Sequence, residues 1–452
     1  MRFKRPDQIR NFFARSLQLG LLIFAISLAR YTPASAVPSF AQQTGQPCQA
    51  CHVGAFGPQL KPYGRDFKLY GYQSSDNKSR ELAIAFMVQT SVTHTNSDQT
   101  PPPAPHFGDN DNFAVDQVSM FYAGRAPLGF GVFAQATYSG VDRAFNLDNV
   151  DVRKVKEVTL FGRDAVVGFD FNNNPTVQDV WNTTPAWGFP YNSSSLGPRQ
   201  QAAALIDGGL AGLVAGAGLY GVWDDTLYLE ANAYAPLNRV VAGRLGEGTT
   251  SSSDRYSGIL PYWRAALLHD FGSTQTAELG AYGVRGERFP GGDTSQGVDT
   301  LTDWALDGTY QYIGARNVVS AHATYIHEDQ DLRASSILAG TRPKNTLTTA
   351  RADLSYSYAD TWTPTAQVFS TTGTFDPALY NPGLRTTGYV MELAWSPYGK
   401  PDSPISWANA RFALQYTGYT EFNGDHRHAG DNDTLYLNAW FALAPLGWRV
   451  NR

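Results

Sequence analysis

Leu227-Tyr228-Leu229-Glu230-Ala231-Asn232-Ala233-Tyr234-Ala235 alternates strictly: the odd positions are apolar, and the even ones carry a carboxylate, an amide and two phenols. A period of two marks a strand with one face in an apolar medium and the other in a polar one. The pattern recurs along the chain. Val319, Ala321, Ala323 and Tyr325 oppose Ser320, His322, Thr324 and Glu328, and Ala352, Leu354, Tyr356 and Tyr358 oppose Arg351, Asp353, Ser355 and Ser357. Near the end, Leu435, Leu437, Ala439, Phe441 and Leu443 oppose Tyr436, Asn438 and Trp440. Helical periodicity does not persist from Glu81 onward.

Counting such runs gives about sixteen strands, an even number, as single-chain bacterial barrels have. They lie near 81–94, 113–126, 129–140, 145–161, 164–172, 211–222, 226–237 and 261–271, then 275–286, 301–313, 317–328, 346–359, 362–373, 387–397, 409–422 and 433–444. The connections alternate in length. Pro127-Leu128, Gly162-Arg163, Asp224-Asp225, Gly272-Ser273 and Asp360-Thr361 sit in short turns, whereas 95–112, 173–210, 238–260, 287–300, 329–345, 374–386 and 423–432 are long. The Pro-rich connection from Ser396 to Trp407 departs from this rule. Short periplasmic turns and long outer loops follow if both termini are periplasmic. The expected fold class is therefore all-β, an outer-membrane transmembrane β-barrel wide enough to hold water or a plug. A soluble sandwich or propeller would also offer many strands, without the regular alternation of loop lengths.

The 452 residues are 42% hydrophobic and 17% charged with a formal charge of −5, which excludes a disordered chain, a coiled coil and a basic nucleic-acid surface. Arg2, Lys4, Arg5, Arg10 and Arg15 precede an apolar stretch from Leu17 to Ala29, and Ala34-Ser35-Ala36 supplies small residues for cleavage. Residues 1–36 thus read as a secretory signal peptide, too short in its apolar part to serve as a spanning anchor. The expected domains are this signal, a monohaem cytochrome c segment at 37–80, and a porin-like barrel at 81–452.

That middle assignment rests on Cys48, Cys51 and His52. C-x-x-C-H is the spacing at which two thioethers hold a c-type haem while the adjacent histidine ligates its iron. A thiol redox site would expect a βαβ setting and leaves the histidine idle, and zinc would need two further ligands at a recognisable spacing. Segment 37–80 is close to the size below which a chain rarely encloses a core unaided, and it contains neither methionine nor a second histidine. Lys61, Lys68, Tyr63, Tyr70 and Tyr72 are its less usual ligand types, so the segment is expected to dock in or at the lumen as a plug and to borrow from the barrel. Alternation turns Met87, Gln89 and Ser91 inward, and Met120 and Met391 toward lipid. Met87 and His322 are the inward candidates for a distal iron ligand, each also readable as ordinary polar fill. Asp425-His426-Arg427-His428 with Asp431 and Asp433, and the pair Asp109 and Asp111, carry metal-ligand types but read as solvated loops.

Val37-Pro38-Ser39-Phe40-Ala41, Thr44-Gly45, Cys48-x-x-Cys51-His52 and Tyr63-Gly64-Arg65-x-Phe67-Lys68-x-x-Gly71-Tyr72 together resemble the start of the fused outer-membrane monohaem cytochrome-porins of iron-oxidising bacteria. Asn174 to Asn182, with Pro185-Ala186-Trp187-Gly188-Phe189-Pro190, resembles a loop of that family. The chain ends Trp448-Arg449-Val450-Asn451-Arg452 rather than on the usual terminal aromatic. The resemblance implies a one-haem barrel that takes electrons from extracellular ferrous iron, or another outside donor, and passes them to a periplasmic cytochrome or other carrier. The haem residues it implies are Cys48, Cys51 and His52. A single haem moves one electron at a time, which suits ferrous oxidation; no hydrolytic or group-transfer chemistry is expected. The alternative is a transport porin whose haem is structural or regulatory. A haem peroxidase ranks last for want of a distal-histidine motif. The expected partners are the donor, the carrier and outer-membrane lipid, with no nucleic acid, and the plugged barrel is expected to be monomeric.

Overall fold

The structure is a computed structural model that describes residues 39–76, 84–246, 255–403 and 408–444. The expected signal peptide, Glu81 and the chain end lie outside the described residues.

Strand β1 (Ile84–Thr95) pairs with β2 (Asn112–Ala126), and neighbour pairing runs on through β3 (Phe130–Ser139), β4 (Ala144–Leu160), β5 (Arg163–Asn172), β6 (Val214–Trp223) and β7 (Leu227–Pro236). The next stave is in two pieces, β8 (Arg255–Ser257) and β9 (Leu260–Asp270), both paired to β10 (Gln275–Phe289). Then follow β11 (Asp299–Ile313), β12 (Asn317–Asp331), β13 (Lys344–Tyr358) and β14 (Trp362–Gly373), and finally β15 (Thr386–Trp395), β16 (Ala408–Glu421) and β17 (Thr434–Leu443). Strand β17 returns to β1, with Phe86 opposite Leu443 and Thr95 opposite Thr434, so the sheet closes on itself. The result is a closed antiparallel barrel of sixteen staves built from seventeen strand segments.

The side chains are sorted as the alternation requires. Leu229 is 53% exposed and Glu230 5%, Met120 is 51% exposed, Met391 57% and Met87 4%. A water-soluble protein does the reverse, burying leucine and exposing glutamate. Aliphatic and aromatic side chains on the outside with carboxylates, guanidinium groups and amides on the inside define a barrel whose outer solvent is lipid.

Three expectations are corrected. The connection 238–260 is not all loop, because β8 continues its stave beyond Gly258, whose φ of +66° interrupts the ladder. Likewise β10, β11, β12 and β13 extend past the apolar alternation, since above the lipid belt a ladder continues with polar residues on both faces. The connection 173–210, expected as an outer loop, instead folds into the lumen and runs on to residue 213 before β6 begins. There Val177, Val180, Trp181, Leu196, Leu205, Ile206 and Leu210 are buried, and backbone N–H groups of Leu205 and Ile206 donate to Glu328 and Asp303 on the inner wall, each at 2.7 Å.

The N-terminal segment fills the lumen from the short-turn end. Gln49 N–H donates to the Gly399 carbonyl at 3.1 Å, Lys61 pairs with Asp360 at 2.9 Å in the β13–β14 turn, and the Arg125 N–H donates to Gln43 Oε1 at 2.9 Å. Deeper in, Tyr72 Oη donates to Asp151 Oδ2 at 2.6 Å and Tyr220 Oη to the Leu69 carbonyl at 2.8 Å.

Leu219, 63% exposed in the middle of β6, tests the assignment of the outer face. Leu219→Arg is expected to cost about 2–4 kcal/mol in folding into bilayers, the midplane cost of arginine on a lipid-facing wall. In a soluble sandwich the same exposed substitution would stay within about 0.5 kcal/mol. Urea titration of the barrel in lipid vesicles measures the difference.

Candidate haem-attachment site

Helix α1 (Ser39–Thr44) is followed by α2, a single turn from Cys48 to Cys51 opened by Pro47. Residues three apart on one turn lie on the same face, so the helix itself brings the two thiols together. His52 leaves the helix in an extended conformation, and its N–H still donates to the Cys48 carbonyl at 2.9 Å. The chain then doubles back through Gly54, at φ +67°, and His52 forms an antiparallel bridge with Leu60. Lys61 N–H donates to the Cys51 carbonyl at 2.8 Å. Helix α3 (Pro62–Leu69) follows and presses directly on α2: a Cβ at Gly64 would stand 2.5 Å from the Cys51 carbonyl oxygen, so only glycine permits this approach.

Cys48 and Cys51 are not joined in a disulfide. Burial pushes Cys48 up to about 11, against a lowering hydrogen bond from Asn409. Burial and then Cys48 push Cys51 up to about 12, with Lys61 acting the other way. Thiol-exchange sites depend on the opposite shift, toward thiolate. Among the described residues no three His, Cys, Asp or Glu side chains gather as a metal-binding group, so a zinc site lacks its ligands. His52 is driven down to about 4 by burial and by Lys61, partly offset by a backbone hydrogen bond at Gly57, which keeps it neutral. Its Nδ1 is buried with no hydrogen-bond partner. An orphaned nitrogen on a neutral imidazole beside two thiols of one helical turn fits a covalently held haem.

Three of the less usual ligand types in the segment are engaged elsewhere. Lys61 is paired with Asp360 and Tyr72 with Asp151. Lys68 Nζ donates to the Val177 carbonyl and to Asn182 Oδ1, both at 2.7 Å, and stands 4.7 Å from the centre of the Trp187 ring. It is thereby the tie between plug and in-folded loop. Both distal candidates face the lumen, in different surroundings. Met87 Sδ takes a contact from Gln89 Nε2 at 3.7 Å on its own strand. His322 meets the plug, its Nε2 lying 3.5 Å from Gln59 Nε2, while its Nδ1 is 2.9 Å from Asp353 Oδ1. Gln59, Asn182 and Asp353 carry no sequence signal for this role.

At the outer end Asp425 Oδ1 accepts the N–H groups of Arg427 and His428, which lowers its pKa. Exposed pairs His428–Asp431 at 3.2 Å and His94–Asp111 at 2.7 Å complete these loops. Their carboxylates are spent on turns and local pairs, as in a solvated loop.

No protein-family model matches the chain, and no curated protein sequence does. Among solved structures it is similar to OmpF of Salmonella typhi, in complex with daunomycin, at 10% identity over 80% of this chain and 97% of that one, with a TM-score of 0.47. It is also similar to the anion-selective porin of Comamonas acidovorans at 12% identity, over 80% and 98%, with a TM-score of 0.45. The outer-membrane channel DcaP of Acinetobacter baumannii follows at 9%, over 80% and 96%, with a TM-score of 0.42. The barrel itself is established by its own strand pairing and faces.

Lys68 gives a pH test of the tie. Burial, then Arg153, lower it from an ordinary 10.5 to about 7. Between those values the unfolded chain holds the additional proton, so this residue's contribution to stability rises as pH rises through that window. Lys68→Met lacks the increment. The difference in unfolding midpoint between parent and variant, measured at about pH 7 and about pH 9, is expected to move in the parent's favour at the higher pH; a difference independent of pH refutes the assignment.

Proposed function

We propose that this chain is an outer-membrane electron-transfer protein in which Cys48 and Cys51 hold one c-type haem through thioethers and His52 ligates its iron. It carries single electrons from an extracellular donor, ferrous iron, to a periplasmic carrier. The observation that carries this reading is the location of the C-x-x-C-H turn inside the lumen of a closed barrel, tied to its short-turn end by Lys61 and Asp360. When bound, the haem supplies a one-electron iron couple.

The residues around the turn perform three tasks. The α2 turn presents two thiols on one face, and the bridge to Leu60 with the close approach at Gly64 fixes the His52 backbone. The plug and the 173–213 loop together occupy the lumen, and the burial they give His52 keeps its imidazole neutral. Position supplies the third. The turn stands at the short-turn mouth of the lumen, against Gly399 and Asp360, where a periplasmic carrier can reach it, while an apolar band about 25 Å tall separates that mouth from the outer loops.

A transport porin with a structural or regulatory haem is the second reading, favoured by the sixteen-stave barrel and its charged inner wall. One experiment separates the two. Haem-loaded protein in vesicles, with ferrous iron outside, is expected to show reduction of the haem with little ion conductance, and Cys48→Ala with Cys51→Ala is expected to abolish both covalent haem and reduction. Large conductance without reduction would establish the porin.

A further inference from the structure

A narrow cleft at the junction of plug, in-folded loop and wall has room for about one water molecule. Leu60, Lys61 and Arg65 line it from the plug, Trp181 from the loop, and Glu278 and Thr309 from β10 and β11. It adjoins the attachment turn, because Leu60 is the bridge partner of His52 and the Lys61 N–H donates to the Cys51 carbonyl at 2.8 Å. Thr309 stands directly across from Glu278 in the strand register. Trp181 Nε1, Thr309 Oγ1 and Glu278 Oε2 are all buried with no hydrogen-bond partner. An indole N–H, a hydroxyl and a carboxyl oxygen are the kind and number of groups that hold a buried water.

The charges around Glu278 single it out. Arg264 faces three carboxylates: it donates to Asp307 at 3.0 and 2.8 Å and to Glu278 Oε1 at 3.0 Å, and it lies 3.7 Å from Asp179. Asp179, on the loop, also accepts the N–H groups of Trp181, Thr183 and Thr184, and Asp307 accepts the Thr183 hydroxyl at 2.7 Å. Glu278 is 5% exposed and has only the Arg264 contact. From the plug, Arg65 faces the cleft with its charge shared by Asp66 at 3.1 Å, and Lys61 is paired with Asp360. Three buried carboxylates on one guanidinium disfavour full ionisation, and the one with the fewest donors is placed to hold a proton.

We infer that Glu278 is a proton-binding site coupled to the one-electron step, linked to the short-turn mouth by a water held between Trp181, Thr309 and Glu278. The inference rests on the haem reading above. Glu278 takes up one proton as the iron gains an electron and gives it up as the electron leaves, so the net charge inside the lumen is unchanged. The proton comes from periplasmic water and returns to it, past Arg65 and the half-exposed Asp66. Compensation of this kind matters most where burial leaves a new charge poorly screened.

The test uses full-length haem-loaded protein in detergent and reads the midpoint potential against pH together with the infrared difference between reduced and oxidised forms. The potential of the parent is expected to fall as pH rises, toward about 59 mV for each tenfold change in proton concentration, and the reduced form to show the carbonyl band of a protonated carboxyl. Glu278→Gln keeps the shape and the acceptor for Arg264; it is expected to lose the band and flatten the slope. Thr309→Val removes one partner of the water and is expected to slow exchange of the band in heavy water, and unchanged exchange overturns the water link. Should Glu278→Gln fail to fold, Glu278→Asp decides, since a carboxyl on a shorter side chain shifts the band and an unshifted band overturns the assignment. A slope and band that survive Glu278→Gln overturn the site while leaving haem attachment intact, as does a parent potential independent of pH. Absence of covalent haem from the parent on denaturing gels overturns both readings. Loss of both signals in Glu278→Gln, with no haem reduction by ferrous iron in vesicles, supports the proton site and refutes the ferrous-iron role alone.

Discussion

Closure of the sheet between β1 and β17 is the constraint from which the rest of this molecule follows. In hydrocarbon no free strand edge is tolerable, because each unpaired N–H or carbonyl costs several kcal/mol. The ten-residue pairing from Phe86–Leu443 to Thr95–Thr434 removes the last edge. Once closed, sixteen staves enclose a space too wide for wall side chains to fill. The inner wall is therefore polar, and whatever enters must answer its charges.

The two inserts do so by complementarity. Arg264, fully buried on β9, is met by Glu278 and Asp307 of the wall at 3.0 and 2.8 Å and by Asp179 of the in-folded loop at 3.7 Å. Asp179 in turn accepts the N–H groups of Trp181, Thr183 and Thr184, so one carboxylate both offsets a buried cation and shapes the loop. Arg153 is paired with Asp151 and also donates to the Lys68 carbonyl of the plug at 3.3 Å. Breaking such a pair strands a buried charge at a cost of about 3–5 kcal/mol. The plug, too small to form its own core, is held by hydrogen bonds to these same buried groups, Arg153 to the Lys68 carbonyl and Tyr72 to Asp151, and by the Lys61–Asp360 pair. Phe40 stacks with Tyr72 at 5.0 Å and meets Phe133 of the barrel at 6.4 Å, so even its apolar contacts are shared with the wall.

What could be read from the sequence follows the range of the forces involved. Strand existence and facing come from local alternation, and Met87, Met120 and Met391 turn as that alternation requires. The C-x-x-C-H spacing is equally local, since one helical turn builds it. The inward course of 173–213 is not local, because it is decided by carboxylates and arginines on strands far along the chain, as in the Arg351–Asp207 pair, 144 positions apart. The piece β8 was hidden because polar residues on both faces carry no alternation. The His322–Asp353 partnership depends on the register of β12 against β13, and the strands are joined by a long connection rather than a tight turn, which leaves the register unreadable.

Plug and loop enter from opposite ends and are mutually dependent. Asn182 donates to the plug at Pro58 and accepts from it at Lys68, and Trp187 donates from Nε1 to the Val177 carbonyl that Lys68 also uses. Removing the plug would leave those acceptors in the lumen and release the loop's inner turn. Removing the loop would strand Lys68 as a buried cation. Neither insert is simply a stopper in a finished pore. The barrel supplies the walls, while the N-terminal segment takes its setting from contacts with both the wall and the in-folded loop.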